Sequence, residues 1–110
     1  MLSDKFFISE KIEERSIELG DGTSEVLFFK HLPNTAFERY AIWGSSEDEN
    51  VVATASARLL VMGLCEPDGS VALTLDMAER IKRPVIQRMV KALLEVNGYG
   101  KPLSEQPGNA

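Results

Sequence analysis

A chain of 110 residues is long enough for one hydrophobic core and short for two, and 44% hydrophobic with 26% charged residues argues against wholesale disorder. The net charge of −5 is unevenly spread: residues 1–79 hold 15 acids and 6 bases (−9), and residues 80–110 hold 2 acids and 6 bases (+4). An acidic chain repels phosphate backbones at long range, so nucleic-acid binding would rest on the C-terminal segment alone, and no apolar run approaches the roughly 20 residues that span a bilayer.

The start Met1-Leu2-Ser3-Asp4-Lys5 lacks the basic-then-apolar order of a secretory leader. Cys65 is the sole cysteine, so no disulfide forms within a monomer. Both features predict a cytoplasmic chain in a reducing compartment.

Phe6-Phe7-Ile8 predicts a short extended strand or a cap on the core. From Ile12 to Leu32 the pattern is that of a β-hairpin: Ile17 and Leu19 alternate with Glu18, Gly20-Asp21-Gly22-Thr23 supplies a tight turn, and Val26 to Phe29 return as a strand. Pro33-Asn34 ends it. Thr35-Ala36-Phe37-Glu38 has capping-box spacing and predicts a short helix with Phe37, Tyr40 and Ala41 on one face, stopping near Gly44.

Ser46-Glu47-Asp48-Glu49 places a hydroxyl and three acids at the positive end of a helix running from Val51 through Leu64. Its stripe is Val52, Ala55, Leu59 and Met62, widened by Val51, Leu60 and Leu64. Pro67-Asp68-Gly69 is a turn that no helix passes easily. After the extended link Ser70 to Leu73, Asp76-Met77-Ala78-Glu79 opens a brief helix. Pro84 breaks the chain or begins a last helix with Ile86, Met89, Val90, Leu93 and Leu94 inward, stopped at Asn97-Gly98. Residues 1–98 thus form one globular domain, and the tail 99–110, without apolar period, is expected to be loose.

Few residues suggest chemistry. His31, the lone histidine, sits at a strand end with no nucleophile motif around it. Cys65 in an apolar stretch reads as a small hydrophobe. One His and one Cys do not make a zinc site, and the acids lack calcium-loop spacing, so no catalytic residue, metal or cofactor is assigned. Gly20-Asp21-Gly22 lacks the lysine of a phosphate loop. Glu47, Asp48 and Glu49 are read first as helix-capping acids.

The basic set Arg80, Lys82, Arg83, Arg88 and Lys91 is the most suggestive feature, able to ring one corner of the fold and face an acidic protein patch or a phosphate backbone, with a solvated helix surface open beside it. Five large rings, Phe6, Phe7, Phe28, Phe29 and Trp43, exceed what one face of a hairpin buries, so some are expected to face a partner.

Three stretches carry a family resemblance: Leu32-Pro33-Asn34-Thr35-Ala36-Phe37-Glu38, the run Ala57 to Leu64 followed by Cys65-Glu66-Pro67-Asp68-Gly69, and Val90-Lys91-Ala92-Leu93-Leu94-Glu95-Val96-Asn97-Gly98. In order and spacing, from Ile17 to Gly98, the chain resembles the tail assembly chaperones of long-tailed bacteriophages. The basic stretch Arg80, Lys82, Arg83 departs from the plainer apolar link of that pattern. The resemblance implies a non-catalytic scaffold in the bacterial host cytoplasm that coats the tape measure protein, helps recruit the major tail protein and self-associates. A longer frameshifted form is common in such proteins.

The resulting expectation is an α+β, mostly helical single domain with an N-terminal β-hairpin and a C-terminal helical bundle. Its candidate interaction residues are Arg80, Lys82, Arg83, Arg88, Lys91, Glu47, Asp48 and Glu49. The rival reading is a small nucleic-acid-associated regulator using the basic corner.

Overall fold

A computed structural model describes residues 2–99 and has the expected α+β architecture, a three-stranded antiparallel sheet with helices packed on it. Most of the tail expected at 99–110 lies outside the described residues.

The hairpin forms as its sequence directs. Strand β1 (Ile12–Glu18) pairs with β2 (Ser24–Lys30), Ile12 opposite Lys30 and Glu18 opposite Ser24. Gly20 and Gly22 take φ of 86° and 88°, a region that costs side-chain-bearing residues energy, and Asp21 between them accepts from Thr23 N–H at 3.0 Å. The period of two then sends Ile17, Leu27 and Phe29 to the inner face, while Val26 and Phe28 take the outer.

Strand β3 (Leu64–Cys65) was not expected. The central helix was to run through Leu64, but it ends at Gly63, where Leu64 turns extended and pairs with Phe29 while Cys65 pairs with Phe28. With the Pro67-Asp68-Gly69 turn only two residues ahead, extended backbone here satisfies the β2 edge that a helix would have left unpaired. In that turn Asp68 accepts from Ser70 N–H at 2.9 Å and Gly69 has φ of 86°, which brings Val71 back into a bridge with Cys65.

Helix α1 (Asn34–Gly44) begins two residues earlier than the capping box requires. Pro33 is its N-cap and Thr35 lies inside the helix, so the box does not form. Ala36 is its buried residue, with Phe37 and Tyr40 packed on the core and Ala41 exposed, a correction to the expected face.

The single helix expected over 51–64 is two. Helix α2 (Glu49–Ala53) and α3 (Ala55–Gly63) meet at Thr54, whose φ of −103° and ψ of 4° leave the helical region. The cause is local: the Thr54 hydroxyl donates back to Asn50 O at 2.8 Å, and Thr54 Oγ1 itself accepts from Arg58 Nε at 2.8 Å. Ala55, Leu59 and Leu60 are buried as expected, whereas Val52, on the far side of the break, is 41% exposed.

The brief helix α4 (Leu75–Glu79) is capped by Thr74, whose hydroxyl accepts from Met77 N–H at 3.2 Å. Asp76, expected as its start, sits in the first turn. Helix α5 (Arg83–Val96) takes Pro84 in its first turn, where a missing N–H costs nothing, and ends at Asn97 with Gly98 at φ of 89°. It lies against β1 and β2 on the inner face and against α3 on the other side.

The core centres on Phe29, Leu59, Leu60 and Leu93, all fully buried, each contributing on the order of 1.5–3 kcal/mol by leaving water. Gly63 permits the α3–α5 contact: a Cβ there would lie 2.4 Å from Leu93 Cδ1. Tyr99, placed in the loose tail by its sequence context, is instead held: its N–H donates to Leu94 O at 2.8 Å and its ring tilts against Phe37 at 4.9 Å.

Candidate functional site

His31 follows β2 and reaches across to β1, its Nε2 2.9 Å from Glu13 Oε2, with both side chains about one-fifth exposed. That bond holds the Glu13 carboxyl below its usual range. Beside the pair, Ile8 to Ile12, Lys30 and Pro67 to Gly69 line a shallow hollow of about 370 Å³. Cys65 lies on β3 rather than at a helix end, 3% exposed, and burial pushes its thiol above the ordinary range, which leaves it poorly nucleophilic. Among the described residues no three His, Cys, Asp or Glu side chains gather as metal ligands.

The basic set does not stand in one patch. Arg80 pairs with Asp76 one turn earlier at 3.3 Å, both well exposed. Lys82 acts on Asp21 in the hairpin turn, and that carboxyl is held low chiefly by the Thr23 hydroxyl, with Lys82 a smaller contribution. Arg83 turns to a groove of about 400 Å³ between α3, α4 and α5, shared with Glu79, Ser56 and Gln87 over a floor that includes Ala57, Ala78 and Val90. Arg88 and Lys91 line a different groove, of about 370 Å³, between α5 and β1.

That second groove contains Arg15, which the sequence reading passed over. Its signal was available: a period of two puts position 15 on the same face as Ile17, a charge among apolar neighbours. Arg15 Nη1 donates to the Glu14 carbonyl at 2.6 Å, and Arg88 Nη1 to the Glu18 carbonyl at 3.1 Å. Two carbonyls of edge strand β1 are therefore occupied by guanidinium groups, which hinders strand addition there.

The acids behave as helix-starting residues. Asp48 is the N-cap of α2, accepting from Asn50 N–H at 2.9 Å, while Ser46 Oγ accepts from Asp48 N–H at 3.1 Å. Glu47, Asp48 and Glu49 are all exposed.

The aromatic residues divide. Phe29 is fully buried, Phe28 half-buried, and Trp43 lies beneath the Arg58 guanidinium at 5.8 Å. Phe6 and Phe7 neither form a strand nor cap the core: Asp4–Phe6 make a single 3-10 turn, and the two rings are 71% and 63% exposed. Leu2 and Ile8 are exposed with them, as are Val26 and Val71 on the outer face of the sheet.

Among the described residues no helix is long and apolar enough to cross a membrane. Comparison with protein-family models, with characterised proteins and with solved structures finds no match to this chain.

Proposed function

We propose that this chain is a non-catalytic assembly factor of the bacterial cytoplasm, a tail assembly chaperone of a long-tailed phage or prophage that binds the tape measure protein, aids recruitment of the major tail protein and self-associates. The observation that carries the reading is the apolar surface left in water: Leu2, Phe6, Phe7 and Ile8 together on the N-terminal arm, with Val26 and Val71 on the outer sheet face. Clustered exposed apolar side chains at one terminus are the surface a holding protein offers to an apolar helical client, and they are costly to keep without one. The order of hairpin, helices, Asp-Gly turn and closing amphipathic helix accords with the resemblance. The dispersal of Arg80, Lys82, Arg83, Arg88 and Lys91 over several surroundings lends the nucleic-acid alternative less support.

Co-expression with the tape measure protein of the same phage tests this. The parent chain should raise soluble recovery of that protein, and the double variant Phe6→Ser, Phe7→Ser should lose the effect while melting at the parental temperature. Soluble recovery no better than without the chain would overturn the proposal.

A further inference from the structure

We propose that the groove between β1 and α5 is a carboxylate-binding surface whose occupant is the Glu47-Asp48-Glu49 corner of a second copy of the chain. This rests on the self-association in the reading above and assigns its contact.

Arg15, Arg88 and Lys91 converge on this groove from two elements. Among the described residues none of the three has a carboxylate within 4.0 Å, although the chain as a whole carries 17 acids against 12 Lys and Arg. Arg15 and Arg88 are instead pinned by single nitrogens to the backbone carbonyls of Glu14 and Glu18, which orients them and leaves further N–H donors free. A guanidinium held this way has already lost much of its rotamer freedom, so less is lost on binding an acid.

Two acids, Glu18 and Glu95, flank the three cations. The balance suits one compact acidic cluster and is poor footing for a long phosphate backbone on an acidic molecule. Glu47, Asp48 and Glu49 form such a cluster: consecutive, exposed, and without an ion pair among the described residues. Helix α2, which they begin, packs on α1 and α3, whereas the groove lies between α5 and β1. Groove and cluster are different surfaces of one molecule, so two copies meet either reciprocally in a two-fold dimer or head-to-tail in rings and open arcs.

Sedimentation of the full chain at low salt tests it, comparing the parent with Lys91→Glu, with Arg88→Glu, Lys91→Glu, and with that pair combined with Glu47→Lys, Glu49→Lys. Lys91 is exposed, so its single variant should fold normally, and circular dichroism melts check the others. The expected result is association weakened about tenfold or more by reversal and regained by the charge swap. A parent that associates while Lys91→Glu and the double variant associate equally well overturns the groove assignment and leaves self-association standing. A parent that stays monomeric at high concentration overturns self-association itself. Loss without rescue by the swap overturns the second copy as occupant, and retention of a duplex DNA oligonucleotide that Lys91→Glu abolishes overturns the choice of carboxylate over phosphate.

Discussion

The side chain of Asn97 accepts the backbone N–H of Leu32 at 2.8 Å. Its amide nitrogen donates to the carbonyls of Lys30 at 3.1 Å and Leu93 at 2.9 Å, so one residue at the end of α5 completes the backbone hydrogen bonding where β2 runs out. Leu32 is buried and this site is only partly open to water, so removing the amide strands the Leu32 N–H and the Lys30 carbonyl, while the Leu93 carbonyl keeps the Asn97 backbone N–H. Asn97→Leu should destabilise the fold by about 1–3 kcal/mol in urea denaturation. Asn97→Asp, which keeps the acceptor for Leu32 but loses both donated bonds, should also destabilise. A variant as stable as the parent would show that water replaces these bonds.

Gly63 faces Leu93 so closely that a methyl group would meet Cδ1 at 2.4 Å and Cδ2 at 2.5 Å. Leu93 is fully buried and has little space to retreat. Gly63→Ala should therefore cost about 1–3 kcal/mol by overpacking. Combined with Leu93→Val, the loss should be smaller than the sum of the two single changes, a coupling that a double-mutant cycle of thermal or urea unfolding measures.

Glu13 gives the acid limb of stability a specific contributor. Its carboxyl is held below 4.5 by the hydrogen bond with His31, so the folded state binds its proton less readily than the unfolded chain. The contribution is present above the unfolded value and is lost as pH falls through the folded one. Asp21 and Asp68, held low by Thr23 and Ser70, act in the same direction. Glu13→Gln should lower the melting temperature near neutral pH, and its difference from the parent should shrink as pH drops below about 4.5. A difference constant over that range would count against the pair.

Cys65 should resist thiol reagents while the chain is folded. It is buried on β3 between Phe28 and Val71, and burial raises its thiol pKa. Under mildly alkaline conditions the native protein should react far more slowly with Ellman's reagent than the urea-unfolded chain, at a rate that follows the opening of the sheet. Equal rates would mean that β3 detaches readily.

The elements legible from the residues alone were those directed within a few positions. Asp21 and Asp68 each precede a glycine and bond two residues ahead, so both turns were readable, and Pro84 with Asn97-Gly98 bounded α5. The break at Thr54 is also local, but a back-bonding threonine leaves the apolar stripe intact, and periodicity reads through it. The candidate basic residues were all named except Arg15, yet their grouping was not legible. Which cations meet depends on the angle at which α5 crosses β1, and no spacing within one segment encodes that.

What the sequence determined by itself was the alternation of the hairpin, the positive-φ turns and the apolar face of α5, because backbone preference and periodicity act over a few residues. The tertiary structure decided that Leu64 and Cys65 become a strand, that the arm bearing Phe6 and Phe7 stays in water, and that Asn97 ties off Leu32, 65 residues away in the chain. Each of these outcomes turns on a partner brought near only by packing, where the need to satisfy buried backbone groups overrides local propensity.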